Sequence, residues 1–391
     1  MWQRTKIGNL VDIRRGASPR PIHQYISKSG MPWVKIADAT SDTSRYISQT
    51  NECIKAEGIK HSVIVNPEDL IISNSATPGL PKIMKIKACI HDGWLVFSNY
   101  RGISRDYLYY TFVNIRNRLV NQANGSVFQN LKTDIVKDFE IEVPTLAVQA
   151  QIVEVLNKID EKIEVNVAIN NNLQQQVFAL YKQMFVDTAN DNRHKCRADE
   201  FFDISIGKTP PRKEQQWFSD NHTENVVWAS ISDMGNCGLF IADSSEYLTQ
   251  EAVGRFNVVV VPDKTVLLSF KLTVGRVAIT NGAMTTNEAI AHFKTDNKAI
   301  NEYLYCYLKL FNYQTMGSTS SIATAVNSKI IKAMPFVVPT DQELANFHSF
   351  AAPCFDMVCQ NQIENNQLSA LRDSILPKLM NGEIDMSDIE I

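Results

Sequence analysis

Residues 145–187 read TLAVQAQIVEVLNKIDEKIEVNVAINNNLQQQVFALYKQMFVD, without a proline or a glycine. The apolar positions Ile152, Leu156, Ile159 and Ile163, then Leu173, Val177, Leu180 and Met184, step by three and four. That is the period of a coiled-coil seam, and it predicts one long helix. The same seam recurs 195 residues later as Phe347, Ala351, Cys354 and Val358, then Leu368, Arg372, Ile375 and Leu379. Arg372 is its one polar replacement. In each copy asparagines fill the gap, Asn166 and Asn170 in the first, Asn361 and Asn365 in the second. A polar residue on a seam weakens packing but fixes register and partner. Two such helices packed antiparallel about a pseudo-two-fold would set Asn166 beside Asn365 and Asn170 beside Asn361.

The rest of the chain is also duplicated. A Gly–Pro loop opens each half, Gly16-Ala17-Ser18-Pro19-Arg20-Pro21 and Gly207-Lys208-Thr209-Pro210-Pro211-Arg212. A Trp strand follows, Trp33-Val34-Lys35-Ile36-Ala37-Asp38 and Trp228-Ala229-Ser230-Ile231-Ser232-Asp233. Leu70-Ile71-Ile72-Ser73 with Gly79 matches Val266-Leu267-Leu268-Ser269 with Gly275, and each half closes on Val-Pro-Thr at 143–145 and 338–340. Short β-branched runs between Gly, Pro and Asn predict a strand-rich α+β globule in each half. The expected domains are 1–144, a first globule; 145–190, a central spacer helix; 191–339, a second globule; and 340–391, a C-terminal spacer helix and tail. A helix of about 40 residues is roughly 60 Å long. An antiparallel pair would hold two globules apart like a caliper, suited to two patches on one rod about a helical turn, roughly 34–36 Å, apart.

The composition excludes several classes. No run of about 18 apolar residues predicts a membrane span, and the start Met1-Trp2-Gln3-Arg4 leads into no secretory signal, so a cytoplasmic location is expected. Seven scattered cysteines form no CxxC pair, so no metal site is expected. The net charge of −3 is unevenly spread. Residues 1–144 carry 19 Lys+Arg against 13 Asp+Glu, residues 191–339 carry 15 against 15, and residues 340–391 carry 2 against 9. The basic first half leaves room for phosphate binding, and the acidic tail, with Glu383, Asp385 and Asp388, is expected to face protein.

Trp33-Val34-Lys35-Ile36-Ala37-Asp38, Ser73-Asn74-Ser75-Ala76-Thr77-Pro78-Gly79, Thr286-Asn287-Glu288-Ala289-Ile290 and the tail 371–383, LRDSILPKLMNGE, occur in this order over a duplicated chain. Together they resemble the specificity subunits of type I restriction–modification systems, over essentially the whole chain. The resemblance implies a non-catalytic subunit whose globules are target-recognition domains, each reading half of a bipartite, asymmetric site in double-stranded DNA. It implies spacer helices that dock two methyltransferase subunits, which would bring S-adenosylmethionine and methylate adenine at N6. It further implies a motor–nuclease subunit using ATP and magnesium, with no cofactor in this chain.

Base reading needs Arg or Lys for guanine and Asn or Gln for adenine, on loops of a rigid scaffold. The candidates are Arg14, Arg15, Ser18 and Arg20, with Lys208, Thr209, Arg212 and Lys213 in the second half. Next are Asn74, Ser75, Thr77 and Lys82, with Ser269, Lys271 and Arg276 opposite them. The Gly-Ser loops add Asn124, Ser126, Gln129 and Asn130, then Ser318, Thr319 and Ser320, as phosphate contacts. Duplicated Trp33 and Trp228 are expected in the core rather than stacked on bases. No Asn/Asp-Pro-Pro-aromatic segment exists to hold a flipped adenine. Gly207-Lys208-Thr209 lacks the first glycine of a phosphate loop, which would fall at Phe202. The competing reading is a metal-dependent DNA endonuclease using Asp263, Asp296 and Lys298.

Overall fold

The structure is a computed structural model that describes residues 2–40, 44–123, 130–188, 193–316 and 326–386. It divides into two compact units, Met1–Glu164 with Asn366–Ile391, and Val165–Asn365. The divisions fall inside the two long helices, Leu146–Tyr181 and Asp341–Met380, so each unit holds a piece of both. The first of these continues as a π-helical stretch, Lys182–Asp187.

In the first unit the strands Gln3–Lys6 and Glu140–Val143 pair antiparallel and close the globule. A five-stranded sheet runs in the order Asp12–Arg15, Trp94–Ser98, Leu70–Ser73, Pro81–Met84, Tyr46–Ile47. A second runs Ile26–Ser27, Glu52–Ile54, Met31–Val34, Ala88–Ile90, Val63–Val65. The helix Arg105–Ala123 lays Tyr107, Leu108 and Phe112 on Leu70, Ile72, Leu95 and Phe97. Ile152 and Leu156 of the central helix and Leu376 and Leu379 of the C-terminal helix join the same buried cluster.

The second unit repeats this plan. Lys195–Arg197 pairs with Pro335–Val337. Its main sheet runs Asp203–Ile206, Ile290–Lys294, Val266–Ser269, Val277–Thr280, Phe240–Ile241. The duplication holds at the level of register. Trp33 faces Cys89 on a parallel strand, and Trp228 faces Thr285 likewise. Leu95 opposes Ile72, and Ala291 opposes Leu268. Trp33 and Trp228 are 2% and 1% exposed, so both are core residues.

Within the second unit the long helices run antiparallel. Asn166 Nδ2 donates to Asn365 Oδ1 at 2.9 Å, and Asn361 Nδ2 donates to Asn170 Oδ1 at 2.8 Å. Asn166 also donates to Glu364 Oε2 at 2.6 Å. Val177, Tyr181, Phe347, Ala351, Phe355 and Val358 are buried in one cluster on the C-terminal side of the asparagines of the first helix and the N-terminal side of those of the second. Within the first unit the seam departs from expectation. Ile159 and Ile163 are only half-buried, whereas Asp160 between them is buried. The reason is electrostatic. Asp160 accepts the Tyr110 hydroxyl at 2.7 Å and the Arg372 guanidinium at 2.8 Å, and Arg45 approaches to 3.9 Å. These donors draw the helix face round toward Asp160. Among the described residues no helix is long and apolar enough to cross a membrane.

Candidate nucleic-acid interface

Each Gly–Pro loop is anchored by a glycine pressed against a neighbouring strand end. Gly16 N–H donates to Trp94 O and Ala17 N–H to Ile90 O; Gly207 N–H donates to Ile290 O and Lys208 N–H to Thr286 O. A Cβ on Gly16 would lie 2.1 Å from the His91 carbonyl oxygen, and one on Gly207 would lie 2.1 Å from Thr286 Oγ1. Only glycine lets the loop lie this close.

Two residues beyond each glycine, a hydroxyl meets a carboxylate. Ser18 Oγ donates to Asp92 Oδ1 at 2.7 Å. Thr209 Oγ1 donates to Glu288 Oε2. Asp92 and Glu288 are 196 residues apart, equivalent positions of the repeat. In the first half the basic side chains gather on the same acid. Arg15 Nε donates to the Asp92 carbonyl at 2.8 Å, and Arg20 Nη2 and Arg15 Nη2 lie 3.5 and 3.9 Å from Asp92 Oδ2. Arg14, one residue back on the strand, is exposed. Its side chain has no hydrogen-bond or ion-pair partner among the described residues. The Ser18 hydroxyl holds the Asp92 carboxyl below its usual range. Burial pushes the adjacent His91 imidazole down, and its Nδ1 accepts the Gly93 N–H at 2.8 Å, so the ring is neutral.

In the second half, partial burial works upward on Glu288 but is outweighed by the Thr209 hydroxyl, its own backbone N–H, and the charges of Lys271 and Arg212. Its carboxyl therefore lies below the usual range. Arg212 is held internally, bidentate on Glu246 at 2.7 Å for both oxygens and stacked over Phe218 and Trp228 at 4.4 and 4.5 Å. Lys208 Nζ donates to the Phe256 carbonyl at 2.6 Å. Lys213 and Lys271 are exposed. Arg276 Nη1 donates to the Ile231 carbonyl at 2.5 Å and packs on Gly235.

Three candidates lie in the interior instead. Asn74 is 4% exposed, with Nδ2 on the Asp92 carbonyl at 3.0 Å. Lys82 is 3% exposed and donates to the Ser44 carbonyl. Ser269 is fully buried; its Oγ donates to the Thr273 carbonyl at 2.5 Å and accepts from Arg276 N–H at 3.1 Å. Ser73 makes the matching contacts with the Thr77 carbonyl and Leu80 N–H. The polar atoms of Asn74, Lys82 and Ser269 are engaged with backbone groups inside the domains; they do not face outward. Ser75 and Thr77 are half-buried on the first of those turns, and Asn130 is exposed. Asn124, Ser126, Gln129, Ser318, Thr319, Ser320 and the tail residue Asp388 lie outside the described residues.

The endonuclease constellation does not assemble. Asp263 accepts the Gly282 N–H at 2.7 Å and Lys298 Nζ points at the Lys264 carbonyl at 3.4 Å. Among the described residues no group of His, Cys, Asp or Glu could hold a metal ion. Sequence reasoning missed Asp92 and Glu288 because it sought cations and amides. Their matching places just before aligned strands, Trp94–Ser98 and Ile290–Lys294, were the available signal.

Known proteins bear on this arrangement. The family model for the type I restriction modification DNA specificity domain matches residues 1–175 and again 190–363. The type I restriction enzyme MjaIX specificity subunit of Methanocaldococcus jannaschii is 24% identical over 99% of this chain and 94% of its own. The HindI specificity subunit of Haemophilus influenzae is 22% identical over 68% of this chain and 74% of its own. In fold, the crystal structure of the type I restriction–modification system S subunit from M. genitalium superposes with a TM-score of 0.54 at 15% identity, covering 97% of this chain and 96% of that one. With its two copies of the family's domain, the chain belongs to the type I restriction–modification DNA specificity family and is a non-catalytic specificity subunit with two target-recognition domains.

Proposed function

We propose that each target-recognition domain reads one half of a bipartite, asymmetric site in double-stranded DNA through its glycine-anchored loop and the turn beside it. The observation that carries this reading is the pair of equivalent loops, around Gly16 and Gly207, with the same backbone anchoring and different side chains. A shared scaffold with unlike tips suits two similar readers of unlike sequences. Arg14, Arg15, Arg20, Lys213 and Lys271 are exposed cations suited to phosphate or guanine. The domains are taken as 1–144 and 191–339, with the helices 145–190 and 340–391 as spacers.

The spacer helices set the distance between half-sites and dock two methyltransferase subunits. Exposed apolar side chains on them support this, with Val165 53%, Met357 52% and Leu371 49% exposed. The methyltransferase subunits would bring S-adenosylmethionine, and a motor–nuclease subunit would bring ATP and magnesium chemistry. Mapping of modified adenines in cells expressing this chain with its methyltransferase tests the reading. A two-part motif with a fixed gap is expected; a continuous motif overturns it.

A further inference from the structure

We infer that Asp92 and Glu288 are specificity-determining residues, each accepting a hydrogen bond from the N4 amino group of a cytosine in its own half-site. The inference rests on the loops facing DNA and goes beyond that by naming the acceptor and the base. A carboxylate is a poor neighbour for phosphate, since like charges repel. Yet each domain places one beside basic side chains of its loop, Arg15 and Arg20 near Asp92 and Lys271 and Arg212 acting on Glu288, at equivalent positions of the repeat. Both are held by a hydroxyl two residues past the anchoring glycine, Ser18 and Thr209.

That hydroxyl occupies one oxygen only. Asp92 Oδ2 has only the long approaches of Arg20 and Arg15, and the side chain is 40% exposed. Glu288 is exposed, and the Thr209 hydroxyl reaches only its Oε2. An ionised carboxylate can only accept. In the major groove cytosine offers an amino donor with no acceptor of its own beside it. Guanine and thymine present acceptors, and adenine flanks its amino group with the N7 lone pair, so a carboxylate disfavours all three. The two acids differ by one methylene, which gives the two domains different reach from the same scaffold position.

The test uses the full chain assembled with its methyltransferase subunits. Modified adenines are mapped for wild type, Asp92→Ala and Glu288→Ala. Each variant is expected to lose the requirement for one C·G pair in one half of the motif, with the other half unchanged. A second readout does not depend on how a variant folds. Synthetic duplexes carry a pyrimidin-2-one nucleotide, which lacks the amino group, in place of that cytosine. Wild-type complex should bind them about 5- to 150-fold more weakly than the parent duplex, and the matching alanine variant should bind both alike. A two-part motif that survives both substitutions, or equal wild-type binding to both duplexes, overturns the inference alone. A wild-type complex that modifies no two-part motif overturns the DNA reading, and the inference with it.

Discussion

The guanidinium of Arg372 lies 2.8 Å from the carboxylate of Asp160, at the place where the other copy of the repeat has Val177 and Phe355. Val177 and Phe355 are 1% and 3% exposed in an apolar cluster. At this one position the duplicated helices therefore carry a charged pair in the first unit and hydrocarbon in the second. Asp160 is 8% exposed in its side chain, and Arg45, at 7%, is shared with Glu164 at 2.9 Å and Asn157 at 2.6 Å.

Removing the central anion strands buried cations. Asp160→Ala is predicted to cost about 3 kcal/mol, the usual scale for breaking a buried pair. Arg372→Leu should cost less, about 1 kcal/mol, because Arg45 and the Tyr110 hydroxyl still accompany Asp160. Urea unfolding of the two variants checks the order; equal midpoints for Asp160→Ala and wild type would contradict it.

The asparagine layer makes a different prediction. Asn170 is 7% exposed and relies on Asn361 across the helix pair. Asn361→Ala should lose about 1–2 kcal/mol by leaving a buried amide unpaired. Replacing both, Asn170→Leu with Asn361→Leu, should raise the melting temperature but permit more than one self-associated form. Thermal scans with size-exclusion chromatography read both effects. A double variant that melts lower and stays uniform counts against a register role.

Acid should weaken the second unit. His292 is fully buried between the Ser205 and Thr286 hydroxyls at 3.0 and 2.7 Å, and burial, with Lys294, pushes its imidazole down to about 3. The folded chain keeps the ring neutral, while the unfolded chain protonates it near its ordinary value of about 6.5. Its contribution is therefore whole above that value and falls as pH drops toward the folded one. The loss is about 1 kcal/mol per pH unit below roughly 6. The equivalent residue of the first unit is Val96, which does not titrate. Comparing urea midpoints at neutral and mildly acid pH should show a smaller drop for His292→Asn than for wild type; parallel drops would remove His292 as the cause.

The anchoring glycines test the loops. Gly16→Ala forces a methyl group onto the His91 carbonyl, and Gly207→Ala onto Thr286 Oγ1 and the Asn287 carbonyl. Each should displace its loop at a cost of roughly 2 kcal/mol. Each should also weaken DNA binding by the assembled complex about tenfold or more, with circular dichroism unchanged. Retained affinity in both variants would mean that these loops do not touch DNA.

The helices and their asparagine pairs were legible because period and repeat are both local counts on the chain. Asp160 was not, since Arg45 comes to it from a loop and Tyr110 from a helix, both far away in sequence. Asn74, Lys82 and Ser269 looked like readers by residue type. Folding turned them inward, Ser269 onto its own turn and Asn74 and Lys82 onto the carbonyls of Asp92 and Ser44. Asp92 and Glu288 carry the sign opposite to the expected ligand partner, so a search for cations passed over them.

Exchange of one domain is the decisive measurement. Residues 195–337 are replaced by the corresponding domain of a relative with a different motif, and the modified motif is mapped with the methyltransferase present. One half of the motif should change to the relative's while the other half and the gap length stay as in wild type. A motif altered in both halves, or unaltered, would rule out two independent half-site readers.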